Sequence, residues 1–237
     1  MIAHATTDKN LNAIEDLSTL LSIGWDIPTE KLASGIISGD FTVDLVACFK
    51  ELSAPASFKK HIDALVKARR ESTQSLQELY DCLRTDHTMM FDFPQNNGTW
   101  PYESQQRDQD SNRRSVPFFI SRSAVAVKDL FDEAGVTLPA HEPPDHIARE
   151  FEFIALCAHH ERSGSDKQST WSSLRKAMGA EHLQKWVDQW SQKVVANADT
   201  DYYRIFAGLT SEIVESNILW KDAQTSLLAR KLPIFPL

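Results

Sequence analysis

Glycine is scarce in this chain, with eight residues among 237, about half of its usual ~7% share. A β-sandwich or β-barrel with many tight turns needs more glycine, so the composition disfavours an all-β fold. Cysteine is also rare: Cys48, Cys82 and Cys157 lie far apart and form no C-x-x-C pair. Three isolated cysteines are typical of reduced thiols in a cytosol and not of a disulfide framework.

Positive charge is in deficit as well. The chain has 25 Lys and Arg residues against 33 Asp and Glu residues, a formal charge of −8 at pH 7. This sign opposes binding to phosphate backbones, so we expect no nucleic-acid partner and consider a positively charged partner plausible. No run approaches the ~20 apolar residues of a membrane span, and the first ten residues lack a secretory signal pattern. The sequence therefore predicts a soluble, cytoplasmic protein with no stable membrane insertion.

What the sequence does contain is helical periodicity. Apolar residues recur at intervals of three and four, and no stretch alternates with period two over five or more residues. The stripes are Leu11 to Leu21, Phe58 to Leu83, Ala124 to Ala134, Leu183 to Val194 and Tyr202 to Trp220. This pattern predicts an all-α fold of six to nine helices that forms a single globular, bundle-like domain over residues 1–237.

The middle of the chain interrupts the periodicity. Six of the ten prolines lie between Pro94 and Pro144, and turn-forming and charged residues fill much of the same stretch. We expect a long loop or hinge over residues 91–117. A division into an N-terminal subdomain (1–90) and a C-terminal subdomain (118–237) is compatible with this pattern.

Helix ends are less certain from sequence. The stripe after Phe58 fits either one long helix or two, and the last stripe could extend to Leu228. Gly135 is placed to end a helix in a left-handed conformation. The apolar, proline-broken segment 232–237 is expected to dock as a strap.

One predicted helix carries polar residues on a face of core type. Pro143, Pro144 and Asp145 are expected in its first turn, where Asp145 would complement the helix dipole. At 100° per residue, one face carries His146, Glu150, Phe153, Cys157 and His160. Three interpretations stay open: a metal site, a hydrogen-bonded polar stripe at a helix crossing, and the lining of a ligand groove.

Catalytic signatures are lacking. The chain has no G-x-S-x-G, no G-x-x-x-x-G-K-[ST], no G-x-G-x-x-G and no H-E-x-x-H. A small metal- or thiol-dependent enzyme using His146, Glu150 and Cys157 is a rival hypothesis, but no second ligand cluster completes a metal set. We therefore expect a protein that is not an enzyme and holds no metal or cofactor of its own.

Two segments resemble a known family. Residues 91–94 (FDFP) and 98–104 (GTWPYES) resemble the F-x-x-P … P-P-Y-E-S signature of the TorD/DmsD/NarJ family of redox-enzyme maturation chaperones. Residues 142–153 (EPPDHIAREFEF) resemble the family's E-x-P-D-H-[IL]-A-x-E-L-E-F. The likeness covers roughly residues 75–230. Two departures are Trp100, where the family often has proline, and Gln105-Gln106-Arg107, where an aromatic residue is expected.

The resemblance implies an all-helical chaperone that is not an enzyme. Such proteins bind the twin-arginine signal peptide or the apo-form of a molybdopterin oxidoreductase catalytic subunit, and hold it for cofactor insertion before export or assembly. By this resemblance Tyr102, Glu103, Ser104, Asp145 and His146 match the family's binding surface. We expect these residues, together with Trp100, Glu142 and Glu150, to bind peptide or partner. An assembly factor for a signal-less subunit of a membrane-bound reductase is the alternative. The chain could act as a monomer or a homodimer.

A second arginine pair lies inside the chain. Arg113 and Arg114 precede Ser115-Val116-Pro117 in what looks like a twin-arginine motif. Its internal position excludes a cleaved signal. A basic loop with apolar anchors and a mimic of the ligand both fit this pattern.

Overall fold

The structure, a computed structural model, describes residues 2–93, 98–108, 121–139, 142–164 and 167–221, with side chains from Lys9 onward. Within these ranges it is helical and has no strand, and the helices form one domain. The predicted all-α fold is therefore confirmed. The turn after Pro94, the Arg113-Arg114 motif and the C-terminal segment lie outside the described residues.

The described helices outnumber the six to nine that the sequence predicts, because one apolar stripe is divided into two helices and further helices form outside the stripes. They are α1 (Ile2–Trp25), α2 (Glu30–Ser38), α3 (Asp40–Glu51), α4 (Lys59–Glu71), α5 (Leu76–His87), α6 (Glu103–Arg107), α7 (Arg122–Glu133), α8 (Ile147–Arg162), α9 (Gln168–Ala177), α10 (Gln184–Asn197) and α11 (Asp201–Glu215). Two π-helical segments, 88–92 and 178–183, follow α5 and precede α10. Such segments are rare in proteins, and those that occur are often found at functional sites.

Local capping chemistry decides where the stripes break. Between α4 and α5, Ser75 and Glu78 form a capping box, so the stripe from Phe58 to Leu83 is two helices. After α7, Gly135 adopts φ +73°, and the amide of Val136 donates to the carbonyl of Phe131 at 2.9 Å. This is a Schellman motif, and it confirms the predicted helix end.

The last described helix is shorter than its sequence stripe allowed. α11 ends at Glu215, and Asn217 takes a left-handed φ of +58°. Leu219 and Trp220 are nevertheless buried beyond the helix. The carbonyl of Leu219 accepts from Arg175, which also pairs with Glu161 in a buried ion pair. A continuous helix to Leu228 is therefore wrong, because the chain turns inward after Glu215.

The core is built on two helix pairs, α1 with α8 and α10 with α11. Trp25 lies where they meet. Its ring lies 4.7 Å from that of Trp190 and 5.0 Å from that of Phe206 between centroids. The indole N–H of Trp25 donates to Thr210 at 3.1 Å, which satisfies its one polar atom in the core.

Part of the predicted loop is ordered and helical. Phe91 is buried in the first π-helical segment, and α6 forms within the stretch that was expected to be irregular. The expectation of one loop over residues 91–117 is corrected to this extent. Residues 94–97 and 109–117 of that range lie outside the described residues.

No single described helix is long and apolar enough to cross a membrane, and only α2 and α3 taken together, bent by 75°, pass that test of length and composition.

We expect Gly24→Ala to lower the free energy of unfolding by about 1–3 kcal/mol. Gly24 lies where α1 meets α11, and an added methyl group would overlap the buried ring of Phe206 and approach the Tyr202 hydroxyl to 3.0 Å. Gly35→Ala in α2 is the matched control. There the nearest atom would be the Phe41 Cβ at 3.6 Å, so the change should stabilise by about 0.4–1 kcal/mol. Urea unfolding measures both, and effects of the same sign would contradict the close approach.

Candidate functional site

The two family-like segments pair directly, although about forty residues separate them. Tyr102 and His146 form an isolated antiparallel bridge. The amide of Glu103 donates to the carbonyl of Asp145 at 3.0 Å, and the amide of Ile147 donates to the carbonyl of Pro101 at 2.9 Å. The start of α6 and the start of α8 are thereby fixed to each other. We call this pairing of residues 101–103 with residues 145–147 the seam.

Asp145 is placed differently from the sequence expectation. α8 begins at Ile147, so Asp145 precedes the helix and does not lie in its first turn. Its Oδ2 instead accepts from the amide of Ser104 at 2.8 Å, in the first turn of α6. Asp145 is fully buried, and this burial raises the pKa of its carboxyl despite the bonds from Ser104. It therefore caps a helix, but not the one that follows it in sequence.

His146 is the N-cap of α8. Its Nδ1 accepts from the amide of Ala148 at 3.2 Å, so in the neutral ring the proton is on Nε2. Desolvation of the partly buried ring lowers the pKa of His146 to about 4, and the nearby Asp26 carboxylate offsets only part of this effect. The Tyr102 ring packs edge-on at 5.2 Å between centroids. At neutral pH His146 thus offers an Nε2–H donor and no charge.

A buried charged cluster lies beneath this seam. The fully buried Glu103 accepts from His182 Nδ1 at 2.7 Å and from Arg107 one turn along α6. Arg107 also donates to the carbonyl of Glu181 at 3.1 Å. His182 belongs to the second π-helical segment, which turns its ring toward α6. Ion pairing of this kind allows a carboxylate to remain buried.

Glu150 lies in the packed interior and not in an open groove. Its Oε2 accepts from the indole N–H of Trp186 at 3.2 Å, and the residue is fully buried. Burial, and then the neighbouring carboxylates of Glu103 and Asp145, raise the pKa of Glu150 well above its usual value. Two close carboxyl groups cannot both ionise without cost, so the neutral acid of Glu150 is favoured.

The rest of the α8 stripe supports the helix-crossing interpretation. Cys157 is fully buried, and burial raises the pKa of its thiol to about 12. His160 stacks on Trp171 at 4.4 Å between ring centroids. Cys157 also lies about 16 Å along the helix from His146, so the two cannot form a dyad. Among the described residues, no group of three His, Cys, Asp or Glu side chains could hold a metal ion.

We expect Glu150→Gln to flatten the pH dependence of stability. An acid whose pKa is raised by folding stabilises the fold below its unfolded pKa, near 4.5, and stability then falls as pH rises toward the folded pKa. Glutamine keeps the size and the acceptor for Trp186 but cannot ionise. The variant should match the parent near pH 4.5 and be more stable than the parent at pH 8. Urea unfolding across this range measures it, and parallel pH profiles would disprove the buried neutral acid.

An exposed surface with acidic and apolar side chains adjoins the seam. Asp26 acts electrostatically on His146, and Asp92 acts on Tyr102. Ile27 and Phe93, the next residues in the chain, are 55% and 59% exposed. We call this surface the acidic–apolar face, which consists of Asp26, Ile27, Asp92, Phe93, Tyr102 and His146. Neither aspartate forms a salt bridge within the described part of the chain.

The predicted site residues divide by burial. Glu103, Ser104, Asp145 and Glu150 are buried, whereas Trp100, Tyr102, Glu142 and His146 are partly exposed. Among the latter, Glu142 pairs with Arg149 at 3.0 Å. Sequence reasoning missed Asp26, Asp92, Arg107 and His182. Only Arg107 left a signal, because it lies four residues after Glu103 on one helix.

A cleft of about 990 Å³ lies away from this seam, between α2, α4, α5 and the start of α11. Leu65, Leu79 and Tyr202 are among its apolar lining residues, and Arg70 and Asp201 among its charged ones. None of the predicted site residues lines it.

A family model described as nitrate reductase delta subunit matches residues 52–192. The matched range spans well over half of the chain and includes both paired segments and the π-helical segment that carries His182. A search of curated proteins found no match to the chain.

Proposed function

The chain belongs to the nitrate reductase delta subunit family, and from that premise we propose that it serves as a cytoplasmic chaperone for one molybdopterin-containing oxidoreductase. Membership confirms the likeness to chaperones of the TorD/DmsD/NarJ type. The family acts in molybdoenzyme maturation, and its role is not catalytic. The proposed task is to hold the apo catalytic subunit until its cofactor is inserted, before export or assembly.

The proposed ligand is the N-terminal twin-arginine segment of that catalytic subunit. The observation that supports it is the acidic–apolar face, where Asp26 and Asp92 lie beside exposed Ile27 and Phe93. A signal of this kind has two arginines followed by an apolar stretch. Carboxylates suit the guanidinium groups, and exposed apolar side chains suit the residues that follow.

We propose different roles for the predicted residues according to their burial. In this proposal Trp100, Tyr102 and His146 contact the peptide, with the His146 Nε2–H donating to a peptide carbonyl. Asp145 acts indirectly, since it fixes the start of α6 beneath Tyr102. Glu103, Ser104, Glu150 and Glu142 likewise hold the seam, the last through Arg149. The alternative ligand is a signal-less mature subunit of a membrane-bound reductase. It has no twin-arginine pair to which Asp26 and Asp92 could bind.

Calorimetric titration of the full chain tests the proposal. The probe is a synthetic twin-arginine signal peptide, with two arginines followed by an apolar stretch, compared with the same peptide carrying Gln-Gln. We expect the arginine peptide to bind more tightly and to lose affinity as salt rises, since the Debye length shortens from ~10 Å at 0.1 M to ~3 Å at 1 M. Equal affinities at all salt concentrations would reject arginine recognition. Co-purification with a subunit that lacks the signal would favour the alternative.

A further inference from the structure

Four consecutive backbone carbonyls fix the segment that presents Trp100 and Tyr102. Those of Gly98 and Trp100 accept from the side-chain amide of Gln106 at 2.9 and 2.8 Å. That of Thr99, between them, accepts from the indole N–H of Trp190 at 3.0 Å. The Pro101 carbonyl accepts from the Ile147 amide at the seam. The path of this segment is therefore set by side chains and not by regular secondary structure.

The Gln106 amide has one orientation that satisfies its neighbours. Two carbonyl oxygens face one end of it, and they can only accept, so that end is the NH₂ group. Lys193 Nζ lies 2.7 Å from the other end, and an ammonium can only donate, so that end is the oxygen. Gln106 thus connects α10 to the segment through one side chain.

Lys193 also lies against the start of the segment. A Cβ at Gly98 would be 3.7 Å from Lys193 Nζ, and Gly98 has φ +66°, a region that favours glycine. Gln106, Lys193 and Gly98 therefore form one contact set, which we call the Gln106 strut. Gln106, Lys193 and Trp100 are all partly exposed.

Resting on the proposed function, we infer that Gln106 is a positioning residue of the peptide site: with Lys193 it sets where the ring of Trp100 meets the bound peptide. The side-chain amide of Gln106 donates directly to the Trp100 carbonyl, so these two residues are connected. Selectivity for the chain's own partner follows from the position of this indole.

The strut should influence binding more than stability. The carbonyls of Gly98 and Trp100 belong to partly exposed residues, so water can replace the amide when Gln106 is removed. The fold then loses little stability, whereas residues 98–101 are no longer held in a fixed position. Disordered binding groups must be ordered again when ligand binds, which weakens affinity.

The test uses the full chain and five variants. Gln106→Ala removes the strut, Lys193→Met removes only its anchor on α10, and a double variant combines the two changes. The exchanged pair Gln106→Lys with Lys193→Glu keeps a donor for the two carbonyls and an acceptor beside it. Gln192→Ala on α10 is the matched control, because its amide donates to Asp188, one turn earlier on the same helix, and not to residues 98–101. Two signals report whether the segment keeps its position when no peptide is bound. They are hydrogen exchange at the amides of Glu103 and Ile147 and the NMR resonance of the Trp100 indole.

We expect Gln106→Ala to weaken binding of the twin-arginine peptide about three- to tenfold, with nearly unchanged melting temperature. Lys193→Met should weaken peptide binding less than Gln106→Ala does. In the double variant, the fold-loss of affinity should be smaller than the product of the two single losses. The exchanged pair should restore affinity. Exchange at Ile147 should speed up and the Trp100 resonance should shift in Gln106→Ala but not in Gln192→Ala.

Three results would overturn the inference. Unchanged exchange and an unchanged Trp100 resonance in Gln106→Ala would show that the strut positions nothing. Altered signals with unchanged peptide affinity would show that the position does not matter for binding, while the proposed function stands. If the parent chain itself binds no twin-arginine peptide, the proposed function fails, and the positioning role fails with it.

Discussion

Replacing Glu103 by alanine should lower the free energy of unfolding by about 3–5 kcal/mol, the loss typical of removing one partner from a buried ion pair. Glu103 is fully buried and accepts from both His182 and Arg107. Without it, His182 loses its acceptor in the interior, and the partly exposed Arg107 keeps only the Glu181 carbonyl, at the contact between α6 and the second π-helical segment. The change also removes the repulsion between the carboxylates of Glu103 and Glu150. This offsets only part of the lost stability, because the Glu150 carboxyl already favours its neutral form.

Two further variants make the Glu103 result specific. Glu181→Ala, whose exposed side chain belongs to the same π-helical segment, should change stability by no more than about 0.5 kcal/mol. Glu103→Gln retains volume and an acceptor for His182 and should cost less than alanine does. Urea unfolding with a common m-value measures all three. A loss below 1 kcal/mol for Glu103→Ala would mean that the cluster contributes little to holding the seam.

Removing the two carboxylates of the acidic–apolar face should weaken binding of the twin-arginine peptide at least tenfold. Each charge-assisted bond to an arginine is worth about 1.5–3 kcal/mol, and Asp26 and Asp92 have no salt-bridge partner within the described part of the chain. The double variant Asp26→Asn with Asp92→Asn retains shape at both positions. Its effect on stability should be small, since Asp92 is exposed and Asp26 partly so.

The matched control removes the same two charges elsewhere. Asp44 on α3 and Asp129 on α7 are exposed, so Asp44→Asn with Asp129→Asn changes only the net charge. Calorimetry should show a small loss for this control and a tenfold loss for the face variant. The face variant should also no longer distinguish the arginine peptide from its Gln-Gln counterpart. Equal losses in the two double variants would show that long-range charge, and not this face, attracts the peptide.

Periodicity was sufficient to predict the class of fold and the burial of α8. Ile147, Phe151 and Ile154 on one arc, with Phe153 and Cys157 beside them, leave little of that helix polar, and all five are buried. The same signal could not count helices. Breaks such as the one before Ser75 depend on individual caps, which change the apolar stripe very little.

The seam was only partly visible in the sequence. Matching motifs identified both of its segments, but not that the carboxylate of Asp145 caps α6 while His146 caps α8. These two residues are adjacent in the sequence, yet they cap different helices. Which helix a capping side chain serves depends on which backbone amides lie near it, and distant chain segments supply those amides.

The sequence by itself determined the helical class, the family and the two segments of the candidate site, because each is encoded by local spacing of residue types. Only the tertiary structure decided which side chains form ion pairs, which are buried and which are exposed. His182 reaches Glu103 across 79 positions, and Lys193 reaches Gln106 across 87. Protonation and exposure depend on every charge and apolar group within a few ångströms, and folding, not sequence adjacency, selects those neighbours.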